Sequence, residues 1–347
     1  MVFNQKSRLK SIDSIRGVSI IFVIVDHYIY FSGNNILNPF FSYFINSKNG
    51  VDLFFIISGF LITNILVKEI KDNGRIRLIH FYLRRALRIL PALYFLIFIY
   101  YILQKYNFIE LSINTLISSF FLLRQFIGSG WETSHFWSLS VENIFYFLFP
   151  LILNRIKIFK FNKILFLSTA LLILLPIIRY FIFSQSNLST LNIIFRCEGL
   201  IFGSLLALRA QLIDTSIDNK YIIFSLIAST VFILLIEFKL KSESSVIFDF
   251  ILNEYLSILN VFNWAILFHI IINLKKGALY FIFNNSVLIF LGVISYSIYL
   301  WQQLFFSKND IFHFDNLFIR FICIFILSIF SYLFIECPFN KIKFKLK

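Results

Sequence analysis

Apolar residues in this chain come in blocks about as long as a bilayer is thick, separated by short polar connections. Crossing the hydrocarbon takes ~20 mostly apolar residues in a helix. Lipid offers no partner for a bare N–H or C=O, so such blocks must form helices or close into a barrel. Blocks this continuous, without strict alternation, read as helices. Ten are readable, at about 12–31, 51–68, 88–104, 135–153, 163–183, 193–209, 220–238, 255–273, 287–306 and 317–336. Only 14% of residues are charged, against about 25% in soluble domains. The chain is too poor in charge to cover a water-facing surface. The expected fold is all-α and integral to the membrane, with about ten transmembrane helices. Residues 1–347 are expected to form one membrane domain with no separate soluble domain.

The net charge is +14, and the excess bases sit between the blocks. They cluster at Lys6, Arg8 and Lys10, across 68–88, across 153–163, at Lys275 and Lys276, and in the last seven residues. The connections 32–50, 184–192, 237–254 and 307–316 are base-poor. Short cytoplasmic loops retain Lys and Arg. With ten spans the basic and base-poor connections alternate throughout, and both termini fall in the cytoplasm. This distribution argues against nucleic acid as a partner and for membrane lipid. A further apolar stretch, 113–127, contains Arg124 and would invert every later loop if it crossed. It is expected to be re-entrant or interfacial on the outer side. The basic start and first apolar block resemble a leader peptide, but Asp26 and His27 interrupt the block and no small-residue cleavage site follows. A retained first span is expected. Cys197, Cys323 and Cys337 form no CxxC pair. They read as buried small hydrophobes, with no disulfide framework and no metal site.

Ionisable groups inside a span cost at least about 2.5–3.5 kcal/mol each, so they mark packing networks or functional sites. Arg16 and His27 lie eleven residues apart in the first span. Three helical turns put them on one stripe, about 16 Å apart along the axis. His27 is suited to moving a proton near neutral pH. Asp26 points ~100° away from that stripe. Arg85 and Arg88 share one helix face at the start of the third span. Guanidinium groups grip phosphate in two-pronged fashion, and this basic cluster lies where a cytoplasmic polyanion would arrive. Glu142 lies well inside the fourth span, with His27 and Arg16 as candidate partners. Arg196 and Glu198 open the sixth, and Glu336 closes the last. His135, at the edge of the fourth span, is the second-choice base. His80, His269 and His313 are weaker candidates.

Seven segments in order carry a family resemblance: SIDSIRGVSIIFVIVDHY, NGVDLFFIISGFLIT, RRALRILP, FWSLSVENIFYFLFP, RCEGLIFG, SYSIYLW and ECPF. The chain resembles the membrane acyltransferase-3 family, bacterial multi-span proteins that often O-acetylate surface polysaccharides. The resemblance covers nearly the whole chain. It places an Arg and a His at Arg16 and His27, an Arg-x-x-Arg pair at Arg85 and Arg88, and an acid at Glu142. Asp52, Ser138 and Glu198 fall in matching blocks. The chain departs from the family at Gln302 and Leu304, where many members carry a His and then a Pro.

The resemblance implies a multi-pass protein of the bacterial cytoplasmic membrane that transfers an acyl group, acetyl by default. The donor is cytoplasmic acyl-CoA, used as substrate with no bound cofactor. The acceptor is a hydroxyl of a surface carbohydrate or glycolipid. Together with the spacing above, it suggests that Arg16, Arg85 and Arg88 bind the nucleotide end. His27 would act as base or covalent acyl carrier, and Glu142 would orient or charge its imidazole. Asp26, Asp52, Ser138, Arg196 and Glu198 would support them. A glycolipid transporter or flippase also needs a basic mouth and buried polar groups. Such proteins commonly carry paired broken spans in two related halves, which this sequence lacks. The acceptor, the acyl length and the oligomeric state are not legible.

Overall fold

The computed structural model describes residues 5–32, 39–124, 126–155, 161–184, 196–212, 246–274, 276–306 and 317–345. Among them every regular element is helical. In chain order these are α1 (Gln5–Ser32), α2 (Pro39–Phe44), α3 (Ser47–Asn73), α4 (Leu78–Lys105), α5 (Ile113–Phe120), α6 (Phe136–Arg155), α7 (Phe161–Ser184) and α8 (Glu198–Leu212). Then come α9 (Val246–Asn273), α10 (Ala278–Ile282), α11 (Ser286–Val293), α12 (Ser295–Phe305), α13 (Leu317–Ser331), a π-helical turn (Tyr332–Glu336) and α14 (Cys337–Lys345).

Seven stretches among the described residues are long and apolar enough to cross a membrane, and a bent pair raises the number to eight. The chain is a multi-pass, all-helical membrane protein. The seven coincide with the predicted spans starting near 12, 51, 88, 135, 163, 255 and 317. The bent pair is α11 and α12, which meet at 71° inside the predicted span 287–306. For the predicted span 193–209, the described helix is the 15-residue α8. The predicted span 220–238 lies outside the described residues. Within 113–127 the helix is the eight-residue α5, about 12 Å long, which is too short to cross.

Helix packing inside lipid depends on close approach of backbones, since lipid is as apolar as leucine. Two glycine pairs supply it here. A Cβ on Gly59 would sit 2.2 Å from the Leu200 carbonyl oxygen, and one on Gly203 would sit 2.0 Å from that of Ile56. They lock α3 to α8. Gly17 and Gly292 do the same for α1 and α11, where a Cβ on Gly292 would lie 1.7 Å from the Asp13 carbonyl oxygen. Helix α3 is also closed at both ends. The Asn46 side chain accepts from the Asn49 N–H at 2.8 Å, and Gly74, at φ +70°, returns its N–H to the Ile70 carbonyl.

The break between α11 and α12 shapes the interior. Ile294 leaves the helical conformation at φ −91°, ψ 5°. The Ser295 hydroxyl then caps the Gly292 carbonyl at 2.8 Å. The turn swings α12 inward, so that Ser295 and every residue from Ser297 to Phe305 are buried. This helix supplies the centre of the molecule.

Candidate active site

The polar groups inside the bundle line two cavities, one above the other. "Lower" denotes the end carrying the basic α3–α4 connection and the start of α1. The lower cavity has a volume of about 80 Å³ and is lined by Arg16 from α1, Ser58 from α3, Arg85 and Arg88 from α4, Ser138, Glu142 and Tyr146 from α6, and Tyr296 and Tyr299 from α12, among others. The upper has a volume of about 510 Å³. His27, His135, Trp131, Gln303, Lys48, Arg179, Arg196 and Glu254 are among its lining residues. Val51 and Tyr299 line both.

The lower cavity gathers the three arginines singled out from sequence. Arg85 lies over the Tyr146 ring at 5.1 Å and the Phe81 ring at 5.8 Å. Neither Arg85 nor Arg88 makes a hydrogen bond or ion pair among the described residues. Arg16 has a long contact of 3.9 Å to Asp13. Glu142 accepts hydrogen bonds from the Ser58 hydroxyl and from Tyr146, one helical turn on. Glu142 lines the cavity with the three guanidinium groups, and Asp13 and Glu336 add negative charge within electrostatic reach of Arg16 and Arg88. Arg85 and Arg88 still lack a direct anionic partner among the described residues, and cations in an apolar interior without one are costly, so the cavity favours an entering anion.

The expected meeting of Glu142 and His27 does not occur. Glu142 is bound to Ser58 and Tyr146 in the lower cavity, whereas His27 lines the upper. Helix α6 descends from Phe136, so Glu142 lies six residues, or about 9 Å, below its upper end. The partner of His27 is Gln302 of α12: Nδ1 lies 3.1 Å from Oε1. With the amide oxygen turned to the ring, Nδ1 carries the proton and Nε2 keeps its lone pair. Trp131 packs edge-on against the imidazole at 5.8 Å and is itself stacked on Tyr30 at 5.4 Å.

The supporting residues divide. Ser138 lines the lower cavity and shares a 2.7 Å hydrogen bond with Tyr299, whose hydroxyl also reaches the His135 carbonyl. Arg196 lines the upper cavity. Glu198 is buried behind it and accepts from Arg179, which also donates to Glu254 at 2.6 Å. Asp52 is buried and Asp26 is half-buried, and neither lines the lower or the upper cavity. Glu336, in the π-helical turn, accepts from Ser297.

Several groups escaped the sequence reading. Arg179, only 3% exposed, lies in the last turns of a predicted span, and the cost of burying a cation flags it. Tyr146 follows Glu142 by four residues, the spacing of helix-face neighbours. Gln303 and Trp131 carry no charge or motif that would have marked them.

Two polar cavities stacked along the spans of a helical bundle define a membrane protein with a polar interior. The comparisons fix the family. A sequence model described as "Acyltransferase domain" matches residues 9–336. The chain belongs to the acyltransferase-3 family. It is 31% identical to a "putative O-acetyltransferase" of Staphylococcus aureus (strain COL), over 96% of this chain and 57% of that protein. It is 27% identical to O-acetyltransferase OatA of Staphylococcus aureus (strain NCTC 8325 / PS 47), over 85% of this chain and 50% of that protein. The chain thus spans about half the length of these curated relatives. No solved structure matches it significantly.

Proposed function

We propose that this protein transfers an acyl group, acetyl by default, from cytoplasmic acyl-CoA to a hydroxyl of a surface carbohydrate or glycolipid. The observation that carries the reading is the pair of cavities meeting at Val51 and Tyr299, with unpaired arginines below and a histidine of defined tautomer above. Family membership and the O-acetyltransferase names of two relatives support acyl transfer. The positive-inside rule supports a cytoplasmic basic end, and with it both termini inside and about ten spans in a bacterial cytoplasmic membrane.

In this reading the donor's phosphates settle on Arg85, Arg88 and Arg16. The pantetheine arm is thin and long, and it carries the thioester up to the Val51–Tyr299 junction. The acceptor hydroxyl enters the upper cavity and loses its proton to His27 Nε2. Its oxygen attacks the thioester carbonyl. The C–S bond breaks as the C–O bond forms, and the imidazolium returns the proton to the departing thiolate. Products are the ester and free CoA. Glu142 balances the arginines and fixes Tyr146 beneath Arg85. It has no direct part at the imidazole.

The test is transfer of label from [14C]acetyl-CoA by membranes containing the protein, paired with mass spectrometry of surface glycans from cells with and without it. Loss of an acetyl ester on deletion, with no label transfer by His27→Ala membranes, is the expected result. A His27→Ala protein that transfers label normally would overturn this mechanism.

A further inference from the structure

Between α5 and α6 the chain runs through an irregular loop, from Arg124 to Thr133, whose construction the steps above leave unexplained. Irregular backbone at membrane depth persists where protein satisfies its polar groups or where it lines a cavity. This loop does both. Arg124 spreads its guanidinium over it: Nε donates to the Thr133 hydroxyl at 2.7 Å, and the terminal nitrogens donate to the Gly128 and Gly130 carbonyls at 2.9 and 3.0 Å. From α5, Ser118 donates to the Ile127 carbonyl, and the Thr115 hydroxyl exchanges hydrogen bonds with the Ser129 backbone. From α4, Tyr100 donates to the Glu132 carbonyl at 2.9 Å. The carbonyls on either side of Trp131 are thus both held, that of Gly130 by Arg124 and that of Glu132 by Tyr100.

Trp131 is the residue this frame presents. Its indole lies in the wall of the upper cavity. One face stacks on Tyr30 at 5.4 Å with the planes 12° apart, and the edge meets the His27 imidazole at 5.8 Å. No other ring packs on it among the described residues. The cavity measures about 510 Å³, and Ser134, Arg196 and Gln303 supply polar groups to its wall. A flat apolar surface with a few polar groups around it is the ordinary make-up of a site for a small molecule.

We propose that Trp131 is the acceptor platform: the indole face turned away from Tyr30 receives the C–H face of a pyranose ring and sets one of its hydroxyls against His27. Arg124 is the positioning residue that holds the platform. The inference rests on the acyl-transfer reading above and narrows its acceptor to a cyclic sugar with an apolar face. Stacking fixes the plane of the bound ring, so it orients the reacting hydroxyl as well as retaining it.

The experiment uses the full chain reconstituted in lipid nanodiscs, radiolabelled acetyl-CoA as donor, and two kinds of acceptor. One is the pair of methyl pyranosides of glucose and galactose. The other is glycerol, which has hydroxyls and no ring. Trp131→Leu keeps apolar bulk and removes the flat face. Its pyranoside KM should rise about tenfold, the effect of one lost aromatic contact. Its KM values for glycerol and acetyl-CoA should stay within about twofold. Trp131→Phe, which keeps a smaller flat face, should recover most of the pyranoside KM. Arg124→Gln should raise the pyranoside KM about threefold or more, with no further loss when combined with Trp131→Leu, because both act through one indole. If Trp131→Leu fails to accumulate, Arg124→Gln carries the test with the indole intact. Where only the cells' own glycans accept label, the same variants are ranked by ester content, with Trp131→Phe above Trp131→Leu. A wild-type pyranoside KM in Trp131→Leu overturns the proposal. So does equal loss on pyranoside and glycerol, which would make the indole a packing group for His27, or wild-type transfer to glycerol alone. Additive losses in the double variant remove Arg124 from the platform. Absence of transfer to every hydroxyl, the cells' own glycans included, overturns the acyl-transfer reading itself.

Discussion

His27 and Gln302 meet through Nδ1 and Oε1 at 3.1 Å, across 275 residues of chain. The contact joins the first span to the bent segment, and it decides which nitrogen of the imidazole can act. Gln302 is fully buried, so no water can take its place. Where many relatives by resemblance carry a histidine, this chain has an amide that can hold the ring in position without competing for its proton.

Replacing Gln302 by Leu should therefore leave the protein folded but free the imidazole to adopt either tautomer. Turnover should fall on the order of 10–100-fold, less than the loss seen when an ionic orienting partner is removed. The KM for acetyl-CoA should not move. Steady-state kinetics on the reconstituted protein would show this as a kcat effect, and a donor-KM effect would contradict it.

Arg85→Ala and Arg88→Ala should each raise the KM for acetyl-CoA by about tenfold or more, the scale of a hydrogen bond to a charged group. The penalty should shrink to about threefold or less with acetyl-pantetheine, which lacks the nucleotide phosphates. An equal penalty with both donors would remove these arginines from phosphate binding.

Glu142→Gln separates two roles. If the carboxylate charged the imidazole, kcat would collapse. Because Glu142 is instead bonded to Ser58 and Tyr146 among the arginines, the change should appear in the donor KM and in membrane abundance. The acceptor KM should stay within about twofold. Comparing the two KM values tests the assignment directly.

Gly203→Val places carbon where only 2.0 Å separates a Cβ from the Ile56 carbonyl oxygen. Overpacking of this kind costs roughly 1–3 kcal/mol or more. The variant should accumulate poorly and aggregate at lower temperature in detergent, as read by fluorescence-detected size exclusion. Wild-type behaviour would mean that α3 and α8 can separate without consequence.

Much of this was legible in the chain, for a physical reason. Spans announce themselves because lipid demands unbroken apolar length, and seven helices fall where that length predicted them. Arg16, Arg85 and Arg88 were likewise visible as cations in apolar surroundings, and the structure brings them to one cavity. Pairing was not legible. Glu142 and His27 looked like partners because both are polar and buried. Which face of α6 meets which face of α1 depends on tertiary packing that no single-helix pattern contains. Gln303 stayed hidden because an amide inside a span carries no charge to betray it, and Gln302 drew notice only as a departure from the family pattern. Arg179 could have been found by the same burial argument that found the others.

The junction at Val51 and Tyr299 has one more consequence. A protein open to both sides would short-circuit the proton gradient on which a bacterial membrane depends. Here the two water-accessible hollows share only those two lining residues, and Tyr299 is tied to Ser138 and to the His135 carbonyl. The Val51 isopropyl group and the Tyr299 ring therefore stand in the barrier between the two hollows. Under the proposed transfer, the passage has to admit a thioester while remaining tight to ions.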